Sequence, residues 1–209
     1  MKTNLVFVFF LLVGLSTFGQ NDYTAEKYQT ALMPTKTGGM IAYTGTSHSF
    51  TLNLVSNNIK PLEHHLINID NTIFQSIIIP FKKKCDFEHM SIEDQKANLL
   101  GYMNYELDYV SKELKLDVRN KKYEWLELNG KQFLFWYYDM PDSNPQIEKQ
   151  IFLTTVCYDQ FLCLGSPLGK NKNGFEFNKA LLVKIGKTLQ MNNKPIDLNE
   201  LQKELKNKL

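Results

Sequence analysis

The order of apolar and polar positions changes period several times along the chain, and each change marks an element. Phe50-Thr51-Leu52-Asn53-Leu54 alternates with period two, as a half-buried strand does. Ile41–Tyr43 offers a short strand before it. Leu66–Asp70 and Ile73–Phe81, rich in isoleucine and bounded by Asn71 and Pro80, offer two more after it. At Ser91 the period lengthens. Ser91 and Asp94 stand at capping-box spacing, with Asp in place of the usual Glu. Leu100, Met103, Leu107, Val110 and Leu114 then recur every three or four residues as the apolar stripe of a helix. Gly101 costs that helix ~1 kcal/mol relative to alanine, so a neighbour closely approaching its backbone is expected.

Period two returns at Tyr123. Asn129-Gly130 is the favoured pair for a two-residue type I′ turn and joins Tyr123–Leu128 to Lys131–Asp139. In that register Leu126, Leu128, Phe133, Phe135 and Tyr137 share one face, and Tyr123, Trp125, Leu134, Trp136 and Tyr138 share the other. Both faces are apolar, so both should be covered. After a polar loop with Pro141 and Pro145, Gln150–Tyr158 and Phe161–Ser166 form a second hairpin around Asp159-Gln160. Residues Gly169–Gly174 read as a lysine-rich loop. Leu181, Leu182, Ile185 and Leu189 mark a second long helix, and Asp197 with Glu200 opens a short last helix carrying Leu198, Leu201 and Leu205. Residues 20–40 are polar with scattered glycine and proline and read as a lead-in segment, which leaves 41–209 as a single domain.

Connected hairpins imply a largely antiparallel sheet. Apolar residues on both of its faces, with amphipathic helices before and after the hairpins, predict an α+β fold: a three-layer α/β/α sandwich. This order of elements, with Tyr123-Glu124-Trp125-Leu126, Gly130-Lys131 and Phe133-Leu134-Phe135 on the central hairpin, resembles the PsbP-like fold family over residues 40–190. That family is shared by photosystem II accessory proteins, a nuclear-import factor that binds the GTPase Ran, and exported bacterial proteins. The resemblance implies an accessory or binding role rather than catalysis, and it carries no functional residue onto this chain.

The first residues change the picture of where the domain works. Lys2 precedes an apolar run from Leu5 to Val13, and Thr17 and Gly19 put small residues three and one positions before a cut at Gln20. This is the three-part pattern of a cleaved signal peptide over residues 1–19. The run falls short of the ~20 apolar residues that a membrane-crossing helix needs. The first cysteine is Cys85, so no lipid or other stable membrane anchor is expected, and the protein is expected in the periplasm or outside the cell. Net charge is +2 and Arg119 is the only arginine. Base and phosphate recognition leans on the guanidinium fork, so nucleic acid is not an expected partner.

Several groups are candidates for chemistry. Cys85 follows Lys82-Lys83-Lys84, which would favour its thiolate, and His89 is near enough in sequence to serve as its base. Glu63-His64-His65 suggests zinc, but adjacent histidines on a strand point to opposite faces, and no metal or cofactor is expected. Gly165-Ser166-Pro167-Leu168-Gly169-Lys170-Asn171 only superficially matches a phosphate loop, with three residues between its glycines instead of four. His48 has hydroxyl neighbours Ser47 and Ser49 but no carboxylate within ten residues. Cys157 and Cys163 face each other if the second hairpin has a three-residue loop centred on Gln160, and a cross-strand disulfide is then feasible. A two-residue turn at Asp159-Gln160 pairs Cys157 with Leu162 instead. Tyr102, Tyr105 and Tyr109 form a second stripe on the first helix, read either as a wide buried face or as a contact surface for a partner. The expected function is that of an exported, non-catalytic binding or accessory protein contacting a protein partner. The alternatives are a thiol-dependent or hydrolytic enzyme using Cys85 and His89, and a carrier holding a small hydrophobic ligand between sheet and helix.

Overall fold

A computed structural model of the chain describes residues 24–81, 87, 89–170 and 174–208; the expected signal peptide and Cys85 lie outside them. The strands are β1 (Gln29–Thr35), β2 (Gly38–Thr44), β3 (Ser49–Val55), β4 (Ile59–Pro61), β5 (Leu66–Ile69), β6 (Thr72–Pro80), β7 (Arg119–Leu128), β8 (Lys131–Asp139), β9 (Ile147–Cys157), β10 (Gln160–Gly169) and β11 (Gln190–Asn192). The helices are α1 (Ile92–Lys112), α2 (Phe175–Gly186) and α3 (Leu198–Lys206). The fold is α+β, with two antiparallel sheets. One has the order β1-β2-β3-β11 and the other β4-β5-β6-β10-β9-β8-β7.

The central hairpin forms as its sequence dictates. Asn129 and Gly130 have φ of 52° and 75°, the left-handed pair that a type I′ turn requires, and Leu128 pairs with Lys131 across it. Its two faces feed two cores. Leu128, Phe133 and Phe135, with Leu126 and Tyr137 beside them, join a core filled from the opposite side by Tyr43, Phe50, Leu52 and Leu54 of the smaller sheet and by Leu182 and Ile185 of α2. Gly186 lets the end of α2 lie against the sheet, since a Cβ there would sit 2.8 Å from Leu153 Cδ2. Leu134, Trp136 and Tyr138 point the other way, into a core with Leu99, Tyr102, Met103, Leu107 and Val110 of α1. Tyr123 shares that face but is 53 % exposed because β7 is the edge strand. The larger sheet is thus the middle layer expected from the sequence, with α1 on one face and α2 on the other; a second sheet shares α2's side.

The lead-in reading of residues 20–40 is corrected. Most of residues 29–40 lie in β1 and the start of β2, and Leu32 pairs with Ile41. Pro34, Gly38 and Gly39 hide the pattern in the sequence. Pro34 is tolerated because β1 is an edge strand. Gly38 is required: its φ is 142° and a Cβ would lie 2.1 Å from the Leu54 carbonyl oxygen. Met33 and Ala42 belong to the outward face of this sheet yet are 3 % and 0 % exposed, because α3 packs on β1. Leu198, Leu201 and Leu205 are the half-buried positions of α3.

The frame of α1 is corrected too. Its N-cap is Ser91, whose hydroxyl accepts from the Asp94 N–H at 3.1 Å, as the capping pattern predicts. The helix ends at Lys112, so Leu114 lies beyond it, and its buried face is Leu99, Tyr102, Met103, Glu106, Leu107 and Val110. The frame starting at Leu99 wins because it buries the Tyr102 ring, a larger apolar area than Leu100 offers. Gly101 meets no close neighbour, since nothing lies within 4 Å of a Cβ built there. The resemblance of residues 165–171 to a phosphate loop also dissolves: Gly165 to Gly169 continue strand β10. Pro167 fits there because β6 stops pairing at Gly165. Among the described residues no helix is long and apolar enough to cross a membrane.

Candidate functional site

The densest polar constellation lies where the chain's first described residues, the β2–β3 turn and the β9–β10 turn meet. Glu26 is at its centre. Its Oε1 accepts from Ser47 N–H at 2.5 Å, His48 N–H at 3.2 Å and Thr46 Oγ1 at 3.2 Å. Its Oε2 accepts from His48 Nδ1 at 2.7 Å and from the Tyr28 hydroxyl at 3.0 Å. Burial by itself would raise this carboxyl, but the Ser47 N–H, the His48 ring, Tyr28 and the His48 N–H together hold it down at about 2. An ionised carboxylate only accepts, so His48 Nδ1 carries the proton of this bond. The Glu26 backbone is tied as well. Its N–H donates to Asp159 Oδ2 at 2.6 Å, and its carbonyl accepts from Gln160 Nε2 at 3.0 Å.

The His48 ring stacks on Tyr158, centroid to centroid 4.0 Å, and the Tyr158 hydroxyl donates to Asn193 Oδ1 at 3.0 Å. Burial pushes the Tyr158 phenol up to about 12. Tyr158 has φ of 54°, a left-handed conformation that costs a side-chain-bearing residue ~1 kcal/mol, and the stacked ring and Asn193 hold it there. Tyr158 and Asn193 also line a cavity of about 420 Å³ with Phe87, Met90, Gln95, Lys131, Val156 and Met191. Sequence reading missed this corner because Glu26 and His48 are 22 residues apart. The signal available in the sequence was the run Gly45-Thr46-Ser47-His48-Ser49 of small and hydroxyl residues between two strands.

The candidate residues read from the sequence are scattered. His89 is exposed, and Phe87 and Met90 of the same connection line the cavity. Cys85 lies outside the described residues. Tyr102 is 7 % exposed, with its ring stacked on Phe161 at 4.8 Å and Cys163 beside it at the small cavity under α1. It belongs to the core, so the stripe of Tyr102, Tyr105 and Tyr109 is not one surface. Tyr105 is 48 % exposed and Tyr109 half-buried. Glu63 to His65 form one 3-10 turn with His65 exposed; the His64 side chain lies outside the described residues. Among the described residues no three His, Cys, Asp or Glu side chains converge to hold a metal.

The Cys157–Cys163 disulfide is overturned. The turn is two residues, Tyr158-Asp159, so Cys157 pairs with Gln160 and Cys163 with Thr154. Both thiols are free, buried and on opposite faces of the sheet. Burial pushes the Cys157 thiol up to about 12 and raises that of Cys163, so neither supplies thiolate near neutral pH. Both are expected to be alkylated in denatured protein without reductant, read by peptide mass; a disulfide-linked pair of peptides would refute this register.

Between α1 and the sheet lies a second, smaller cavity of about 40 Å³, edged by Gln75, Glu106, Trp136, Tyr138 and Gln150. Trp136 Nε1 and the Tyr138 hydroxyl, both buried, have no hydrogen-bond partner among the described residues. This volume is on the scale of the ~30 Å³ occupied by one water molecule, far below that of an organic ligand.

No protein-family model and no curated protein matches the sequence. Among solved structures the chain is similar to cyanobacterial PsbP (CyanoP) from Synechocystis sp. PCC 6803, with a TM-score of 0.42 and 8 % identity, over 85 % of this chain and 99 % of that one. That similarity brings no site, activity or partner to this chain.

Proposed function

We propose that this chain is an exported, non-catalytic binding protein that meets a protein partner at the cavity end of its two sheets. The observation that supports this reading is the cavity of about 420 Å³ and its lining. Its size suits a partner's side chain or short segment. Phe87, Met90, Val156 and Met191 supply apolar surface; Gln95 and Asn193 supply amides; and Lys131 is its one charged group among the described residues. Thioethers adapt to irregular shapes, so two of them at a rim favour contact over chemistry. The described thiols are sealed in the cores.

One observation favours a hydrolytic reading. The Glu26–His48 pair is a carboxylate-oriented imidazole, the geometry of a general base. Among the described residues, however, no hydroxyl or thiol is hydrogen-bonded to the other ring nitrogen, and the carboxylate serves the turn. The two readings separate in one experiment. Tagged protein recovered from the cell envelope of the exporting organism is expected to begin at Gln20 and to bring down a partner. Lys131→Glu and Met191→Lys are expected to lose that partner ~10-fold or more without a change in melting temperature, as hot-spot substitutions do. Cys85→Ala and His89→Ala are expected to retain it. Partner capture unchanged in both cavity variants would refute the site, and a hydrolytic turnover abolished by His48→Ala would refute the function.

A further inference from the structure

The turn that links β2 to β3 is built around an anion. Of the five hydrogen bonds received by the Glu26 carboxylate, four come from three consecutive residues of this turn, Thr46, Ser47 and His48, and one comes from Tyr28 of the occupant's own segment. The donors are divided between the two oxygens. Oε1 takes the two backbone N–H groups and the threonine hydroxyl, and Oε2 takes the imidazole. Successive N–H groups in a turn form a concave, partly positive nest of the kind that holds anions. Gly45 completes the shape. A Cβ there would lie 2.3 Å from Oε1 and 2.5 Å from Cδ of Glu26, so the carboxylate lies in the space that a side chain would fill. The Glu26 side chain is only 10 % exposed, so the carboxylate is seated in the fold and not laid over it.

From this arrangement we propose that Gly45–His48 is a monocarboxylate-binding site whose occupant is the chain's own Glu26, so that a chain lacking the Glu26 carboxylate takes a free monocarboxylate such as acetate in its place. Receptor and occupant belong to different segments, and every donor except Tyr28 sits on the receptor. Removing the Glu26 side chain beyond Cβ therefore leaves the receptor intact. Two acceptor oxygens in one plane match the two sets of donors. A tetrahedral anion would carry its further oxygens into the crowded side facing Gly45, so sulfate is a poor substitute.

The test compares three full-length mature proteins, wild type, Glu26→Ala and Glu26→Ala/Gly45→Ala, in chloride, sulfate and acetate at equal ionic strength and pH 7. Glu26→Ala is expected to gain ~2–4 °C in melting temperature in acetate over chloride, saturating with concentration as site binding does. Wild type, with its site filled, and the double variant, with its site blocked by the methyl group added at Gly45, are expected to show no such gain. Sulfate is expected to match chloride apart from the general salt effect measured on wild type. If Glu26→Ala does not fold in chloride, recovery of folded protein in acetate alone supports the site. The proposal is overturned if acetate stabilises Glu26→Ala no more than wild type, if it stabilises all three alike, if sulfate does as well as acetate, or if Glu26→Ala folds in neither salt.

Discussion

Replacing Tyr102 by serine is expected to cost the domain about 4 kcal/mol, while the same change at Tyr105 costs less than about 1 kcal/mol. The two lie one turn apart on α1, and the sequence treats them alike. Their surroundings do not. Tyr102 lies in the core between α1 and the sheet, stacked on Phe161, which is itself stacked on Phe81 at 4.1 Å. Serine removes the ring and opens a void beside Phe161. Urea denaturation reads both variants. A Tyr102→Ser protein within about 1 kcal/mol of wild type would mean that this face of α1 is not packed as described.

The second large effect is on acid stability. The Glu26 carboxyl is held at about 2 in the folded protein against an ordinary 4.5, so folding favours its ionised form. That stabilisation is fully present above pH 4.5 and is lost as pH falls through 2. The full difference is worth about 3 kcal/mol. Asp139, which burial would raise but which the hydrogen bonds from Lys149 and Asn120 hold below its ordinary value, adds an acid-sensitive contribution of its own. The difference between wild type and Glu26→Gln therefore isolates Glu26. Glu26→Gln is expected to be less stable by about 2–3 kcal/mol at pH 7, and the gap is expected to close by pH 2. A gap constant from pH 7 to pH 2 would show that packing, and not the charge, is what Glu26 contributes.

The parts of the fold that were legible in the sequence are those fixed by neighbours along the chain. Asn129-Gly130 sets its own turn, and the pleat then assigns Phe133 and Phe135 to one core and Leu134 and Trp136 to the other. Ser91 and Asp197 cap their helices as their residue types require. Legibility fails where a partner from far along the chain decides. Leu99 and Leu100 offer α1 two apolar frames, and only the sheet beneath chooses. The position of one turn separates a disulfide from two inert thiols: it closes at Tyr158-Asp159, where His48 and Asn193 hold Tyr158 in the left-handed region, and Cys163 then falls opposite Thr154. Pro34 and Gly38 resemble loop residues until β3 supplies the carbonyl that Gly38 lies against. The Glu26 site was invisible for the same reason: its donors were in plain view at residues 46–48, but no carboxylate stood near them in sequence.

The two backbone ties of Glu26 also order events in time. They join residue 26 to Asp159 and Gln160, which are 133 and 134 positions further along the chain. A polypeptide made, or passed through a membrane pore, N-terminus first presents residue 26 long before either partner is available. Strands β1 to β3 can pair early, but their sheet cannot close on the larger one until β10 has arrived, and β11 completes it only at residues 190–192. Contacts of such long range make folding slow relative to chains with local contacts. If the chain is exported, as proposed, that delay keeps it threadable during transit, and final closure waits until the β9–β10 turn has followed.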